Sequence, residues 1–115
     1  MDAGDETLVD AAGCDPVRLR DARLVRALLD DVVAALDLRV VGAPLVHTFP
    51  GPGGVTALFL LQESHLSCHT FPEHGLASFN LYCCRPRAAY PWETRLAERL
   101  GAARVDVRTV RRGIR

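Results

Sequence analysis

The chain contains no lysine: all fourteen of its basic residues are arginine, and fourteen acidic residues balance them to a formal net charge of zero. The missing lysine excludes a whole class of amine chemistry, because pyridoxal phosphate is held as a Schiff base on a lysine side chain. An electrophile that condenses with an amine must here be made from the chain itself. The zero net charge removes the electrostatic argument for a nucleic-acid or anionic-membrane partner. No apolar run approaches the ~20 residues of a membrane helix, and the acidic start at residues 2–6 is not expected to act as a signal peptide. The four cysteines include no Cys-x2-Cys pair. They are read as thiols rather than as disulfides or zinc ligands, with the cytoplasm as the expected location and no metal expected. Gly53-Gly54 lacks the lysine and helix that follow in a phosphate-binding loop, so it reads as a turn.

What is present suits one globular domain, 1–115, with 49% hydrophobic and 24% charged residues. Residues 7–12 read as a strand, closed by Gly13-Cys14-Asp15-Pro16, with Asp15 a candidate N-cap and Pro16 at a first helical position. Asp21 is a second candidate cap. From 21 to 38, Leu24, Leu28, Val32 and Leu36 recur every four residues, with Val25, Leu29 and Ala35 widening the stripe, which predicts an amphipathic helix. Residues 39–49 are rich in β-formers but broken by Gly42-Ala43-Pro44, as in a bend or an edge strand. Residues 55–61 are apolar on both alternating faces, as in a strand covered on both sides. The strand-like run 62–73 follows, then a strand at 76–84, a helix at 91–100 stopped by Gly101, a last strand at 103–110 and a solvated arginine-rich tail. The order β-α-β-β-β-β-α-β predicts an α+β two-layer sandwich, an antiparallel sheet with helices on one face. A second subunit's sheet is one way to cover the other face.

The stretch Gln62 to Glu73, QESHLSCHTFPE, concentrates an acid, hydroxyls, imidazoles and a thiol where a strand should fill a core. Alternation puts Ser64, Leu66, Cys68 and Thr70 on one face and His65, Ser67, His69 and Phe71 on the other. Chemistry that joins Ser64 to His69 therefore needs a bulge, a turn or a chain break. In 76–84, Ala77, Phe79, Leu81 and Cys83 share the apolar face, while Ser78, Asn80, Tyr82 and Cys84 share the polar one. The adjacent thiols are thus unlike: Cys83 belongs to the core and Cys84 to a possible site. A strand-end serine without special chemistry, a Cys/His metal site and a Cys/His hydrolase are all open to these residue types.

From Glu63 to Glu73 the run Glu-Ser-His-Leu-Ser-x-His-Thr-aromatic-Pro-Glu resembles the signature of the prokaryotic S-adenosylmethionine decarboxylases. The likeness extends over nearly the whole chain, through Gly13-Cys14-Asp15, His47, Phe49, Gly54-Val55-Thr56, Ala77, Tyr82-Cys83-Cys84 and Arg104-Val105. It implies that Ser64 attacks the Glu63 carbonyl and is converted into a pyruvoyl group that takes up the substrate amine as a Schiff base. The chain would be cut into 1–63 and 64–115. It further implies His69 as the processing histidine, Thr56 as its assisting hydroxyl in place of a serine, and Cys84 as the proton donor after carbon dioxide leaves. Phe49, Leu66 and Glu73 would contact substrate, Phe49 by stacking on adenine and Glu73 through the ribose hydroxyls. The implied assembly is a homodimer with sheets packed together, and the implied product supplies aminopropyl groups for spermidine and other polyamines.

This chain departs from that pattern at Asn80, where aspartate is typical, at Arg85, where glycine is usual, at Phe71 in place of tryptophan, and in the missing Gly-Lys-His start. The loss of a carboxylate and the gain of a guanidinium motivate a second reading, the same chemistry on ornithine or arginine; a rival of a different class is a non-catalytic binding or regulatory homologue.

Overall fold

The computed structural model describes residues 2–85 and 87–114; Arg115, the end of the basic tail, lies outside them. Along the chain run β1 (Asp2–Ala12), α1 (Pro16–Leu19), α2 (Ala22–Ala35), β2 (Leu45–Thr48), β3 (Val55–Leu61), β4 (Ser64–Phe71), a 3-10 turn (Pro72–His74), β5 (Leu76–Cys83), α3 (Trp92–Leu100) and β6 (Arg104–Gly113). The strands form one sheet in the order β2-β3-β4-β5-β1-β6, every neighbouring pair antiparallel. Helices lie on one face only, so the two-layer α+β architecture expected from the sequence is the one observed.

Alternation decides what each strand gives to the core. Val55, Ala57, Phe59 and Leu61 of β3, Leu66 and Cys68 of β4, and Ala77, Phe79, Leu81 and Cys83 of β5 are buried with Leu19, Val25, Leu28, Leu29 and Val32 of the first two helices and Trp92, Leu96 and Leu100 of α3. The opposite face is bare. Leu58 and Leu60 of β3, apolar like their buried neighbours, are 44% and 58% exposed, and Leu45 beside Leu58 is 69% exposed. The doubly apolar pattern of 55–61 is therefore covered on one side within this chain.

Local chemistry sets the helix limits. Asp15 accepts from the Val17 amide at 2.9 Å ahead of Pro16, and Asp21 accepts from Arg23 and Leu24 at 3.1 and 3.2 Å. The predicted helix 21–38 ends three residues early. Asp37 turns left-handed (φ 52°), and Leu38 folds back to donate to the Val33 carbonyl at 2.9 Å, a Schellman closure that keeps Leu38 in the core.

The edge at β1 and β6 is longer than 7–12 and 103–110. Both strands carry polar residues on both faces there, which leaves no apolar alternation to read. Their pairing matches acids to the basic tail instead: Arg111 to Asp2 and Asp5 at 3.2 and 2.9 Å, Arg112 to Glu6 at 2.7 Å, and Arg108 to Asp10 at 3.6 Å. Each exposed pair is worth no more than ~1 kcal/mol, but their joint register selects one pairing of two otherwise polar strands. The tail expected to be solvated is thus a strand as far as Gly113.

Thr70 is the one buried polar side chain of the core among the described residues. Its hydroxyl accepts from the Val55 amide and donates to the Leu19 carbonyl, both at 2.8 Å, tying β3 and β4 to α1. Thr70→Val strands both backbone groups in a dry interior and should cost about 2–4 kcal/mol. Urea unfolding of the variant beside the parent chain measures that loss.

Candidate active site

The run from Gln62 to Phe71 forms the turn and second arm of a hairpin. β3 and β4 pair from Thr56↔His69 to Leu61↔Ser64, which leaves Gln62 and Glu63 as a two-residue turn. Glu63 has φ 58°, a left-handed conformation that is uncommon for a residue with a Cβ. The strain sits on the residue whose carbonyl leads into Ser64. On its other side β4 pairs with β5 in unbroken register from Ser64↔Cys83 to Phe71↔Leu76. No bulge interrupts β4, so the alternation that separates Ser64 from His69 holds.

Two clusters result, one at each end of β4. At the first end the Cys84 thiol donates to the Glu63 carbonyl. The Ser64 hydroxyl donates to the Gln62 carbonyl at 3.4 Å, one peptide upstream of the bond it is expected to attack. Arg85 pairs with the Glu63 carboxylate at 3.1 Å. Ser64 opens onto a cleft of about 330 Å³ walled by Arg39, Gln62, Arg85 and Arg87. Of the four free thiols only Cys84 is exposed; burial drives the Cys68 pKa far up, and burial also raises Cys83 against the opposing pull of Arg87. Cys84 is the thiol available for chemistry.

At the other end Thr56 Oγ1 and His69 Nδ1 lie 3.0 Å apart on the bare face, a bond that fixes the imidazole and leaves Nε2 unengaged by Thr56. His47 pairs with Thr56 in register, and its ring meets the half-exposed Phe49 edge-on at 4.5 Å between centroids. Glu73 is exposed on the turn just beyond β4. Five residues at about 3.3 Å each put His69 roughly 17 Å along the strand from Ser64, on the opposite face. The expected residues thus fall into Glu63, Ser64 and Cys84 on one side, and Thr56, His69, Phe49 and Glu73 on the other. Leu66, expected at the substrate, is wholly buried in the helix-side core and offers the uncleaved chain no surface for one.

Register also supplies what reading by spacing missed. Asn80 donates to Glu6 at 2.7 Å, and Arg112 grips the other oxygen of that carboxylate at 2.7 Å. The carboxylate absent at Asn80 is offset by one on the neighbouring strand. Tyr82 stands on the same face, its ring against His65 at 5.8 Å and its hydroxyl on the Ala3 carbonyl. Alternation signalled Tyr82; Glu6 and Arg112 become visible only when the β1–β5–β6 register is known. Among the described residues no group of three or more His, Cys, Asp or Glu side chains could hold a metal ion, and no helix is long and apolar enough to cross a membrane.

An antiparallel sheet with helices on one face is also the fold of a decarboxylase whose structure is solved. The crystal structure of the adenosylmethionine decarboxylase from Aquifex aeolicus VF5 superposes with a TM-score of 0.79 at 30% identity, over 98% of this chain and 92% of that one. The chain belongs to the S-adenosylmethionine decarboxylase family, whose model matches residues 5–113. Similar proteins include the S-adenosylmethionine decarboxylase proenzymes of Aquifex aeolicus, 34% identical over 96% of this chain and 82% of that protein, and of Clostridium tetani, 31% identical over 96% and 87%.

Two measurements probe this geometry in the Ser64→Ala background. Glu63→Gly removes the left-handed strain and should raise the unfolding free energy by about 0.5–1 kcal/mol, since the exposed Arg85 pair it forfeits is worth little. The bond from Asn80, and then Arg112, holds the Glu6 carboxylate below its ordinary range. A depressed carboxylate contributes stability that is present above the unfolded value and lost as pH falls through the folded one. Glu6→Gln should therefore flatten the loss of stability measured below about pH 4.3.

Proposed function

We propose that the chain is the uncleaved form of a pyruvoyl-dependent decarboxylase that cuts itself between Glu63 and Ser64 and then decarboxylates S-adenosylmethionine, supplying aminopropyl groups for polyamine synthesis. The observation that carries the reading is the Cys84 thiol on the carbonyl of the strained Glu63, beside the Ser64 hydroxyl. A lysine-free chain with this donor set fits an electrophile built from its own backbone.

In processing, Ser64 Oγ attacks the Glu63 carbonyl carbon, and the thiol hydrogen bond stabilises the oxyanion that develops there. The C–N bond breaks as the C–O bond forms, giving an ester and relieving the turn. A base then takes the Ser64 Cα proton, the Cβ–Oγ bond breaks, and Glu63 leaves as a carboxylate. The resulting dehydroalanine tautomerises, and water releases ammonia to leave the pyruvoyl group. That group supplies the carbonyl that takes up the substrate amine and the electron sink for carbon dioxide loss. Cys84 Sγ delivers the proton that replaces carbon dioxide.

The base is His69, oriented by Thr56, and it comes from a second copy. Within one chain it lies too far from Ser64 and on the wrong face. A homodimer with bare faces packed together, about 10 Å apart, buries Leu45, Leu58, Leu60 and Val110 and brings the second cluster of one copy, with Phe49 and Glu73 for the nucleoside, to the first cluster of the other. A cytoplasmic location accords with thiols that must stay reduced.

Denaturing mass spectrometry tests the reading. The parent chain should give two fragments that part between Glu63 and Ser64, while Ser64→Ala and His69→Ala each remain whole. Co-expression of those two variants should restore cleavage of the His69→Ala chain alone. Absence of fragments from the parent refutes self-processing; an uncut mixture refutes a shared site. Carbon dioxide release from S-adenosylmethionine, ornithine and arginine then fixes the substrate, and release only from a basic amino acid would overturn the assignment.

A further inference from the structure

Two residues before Cys84, on the same face of β5, Tyr82 makes contacts that core packing does not require. Its hydroxyl donates to the carbonyl of Ala3, whose neighbour Gly4 packs against Cys84. The neighbouring Gly4, at φ 100°, lets β1 press directly on this corner: a Cβ there would sit 2.1 Å from the Cys83 carbonyl oxygen and 2.7 Å from Cys84 Cα. Only glycine permits so close an approach. The end of β1 thus fixes both the Cys84 backbone and the Tyr82 hydroxyl, and a short helix or a loop would hold neither.

The proton inventory here is unequal. Cys84 has one proton, spent on the Glu63 carbonyl in the uncleaved chain, and Tyr82 has one, spent on Ala3. Cleavage removes the Glu63 carbonyl from the peptide, so the thiol loses its partner. When Cys84 later protonates carbon, the S–H bond breaks, the C–H bond forms, and sulfur keeps the electron pair until water reprotonates it. A thiolate at that corner needs a donor, and Tyr82 is the neutral donor beside it.

We propose that Tyr82 is a positioning residue for Cys84, its hydroxyl held by Ala3 and poised to turn its proton onto the sulfur once the thiol has given its own away. This rests on the reading of Cys84 as proton donor. A donor aimed at the charged form of an acid favours that form, and a turned Tyr82 hydroxyl would be such a donor to a Cys84 thiolate. Burial and the Cys84 side chain keep the phenol pKa above its ordinary range, so the hydroxyl carries its proton at neutral pH. The other charged or titratable groups facing the pair are Glu6 from β1, Arg112 from β6, His65 from β4, and Glu63 with Arg85 at the turn. Arg112 attracts a thiolate and Glu6 repels one. Being paired at 2.7 Å, they largely cancel at the sulfur.

The test needs no decarboxylation. In the full-length Ser64→Ala chain, the rate at which iodoacetamide alkylates Cys84 is followed against pH by peptide mass spectrometry, with and without Tyr82→Phe. Loss of the hydroxyl should slow alkylation at pH 7.5 about three- to tenfold and move the midpoint upward, the two chains converging at high pH. Superimposed profiles, or a downward move, overturn the proposal. Should Tyr82→Phe fold poorly by circular dichroism, 3-fluorotyrosine at position 82, a stronger donor of nearly the same size, should move the midpoint downward, and an unmoved midpoint counts against the proposal. Failure of the underlying reading looks different: Cys84→Ala would then decarboxylate at the parent rate whatever the alkylation profiles show.

Discussion

The unbroken ladder β3–β4–β5 is the constraint on which the rest of this structure depends. Because Leu61 faces Ser64 and Ser64 faces Cys83, only two residues remain to reverse the chain, and one of them must turn left-handed. The same ladder carries β5 out just far enough for Cys84 to reach back onto the carbonyl of that turn. A slip of one residue would exchange the faces of β4, bring His69 into the core and push Leu66 and Cys68 into water. Twelve buried apolar strand residues on the helix side make such a slip prohibitive, so core packing indirectly holds the reactive corner in place.

That dependence explains why the corner tolerates features that would be faults elsewhere. A glutamate at positive φ, a thiol bonded to a backbone carbonyl, and a glycine pressed against two consecutive residues of the next strand all lie within one strand end. Strain of this size persists only where surrounding structure over-determines it. Here the paired strands on both sides of Ser64 and the β1–β6 edge beyond Cys84 supply that rigidity. The arginine-rich strand β6 has a role in this respect: its ion pairs to β1 are individually weak, but they hold β1 along its length, and β1 carries Ala3 and Gly4.

The bare sheet face and the division of the reactive residues are two aspects of one geometry. Exposed leucines on β2 and β3 and the Thr56–His69 pair occupy the same surface, while Ser64 sits at its rim. A surface that places apolar side chains next to an oriented imidazole is better suited to meeting another protein surface than to facing water.

The sequence by itself determined a good deal. Periodicity located the helix at 21–38 and the alternating strands at 76–84 and 103–110, because burial on one face writes a period of 3.6 or 2 into the chain, while composition and turn residues marked the other elements. Alternation alone separated Cys83 from Cys84, and the dense run at 63–73 identified the family to which the chain belongs. The ends of β1 and β6 were illegible, since polar residues on both faces carry no period, and the helix stop at Asp37 depended on a left-handed turn that a non-glycine residue does not announce. What only the tertiary structure decided was proximity: that no bulge brings His69 back to Ser64, that Glu6 meets Asn80, and that Gly4 packs against Cys84. Such contacts are set by strand register between segments as much as eighty residues apart, and register is fixed by the packing of the whole sheet rather than by any local stretch of chain.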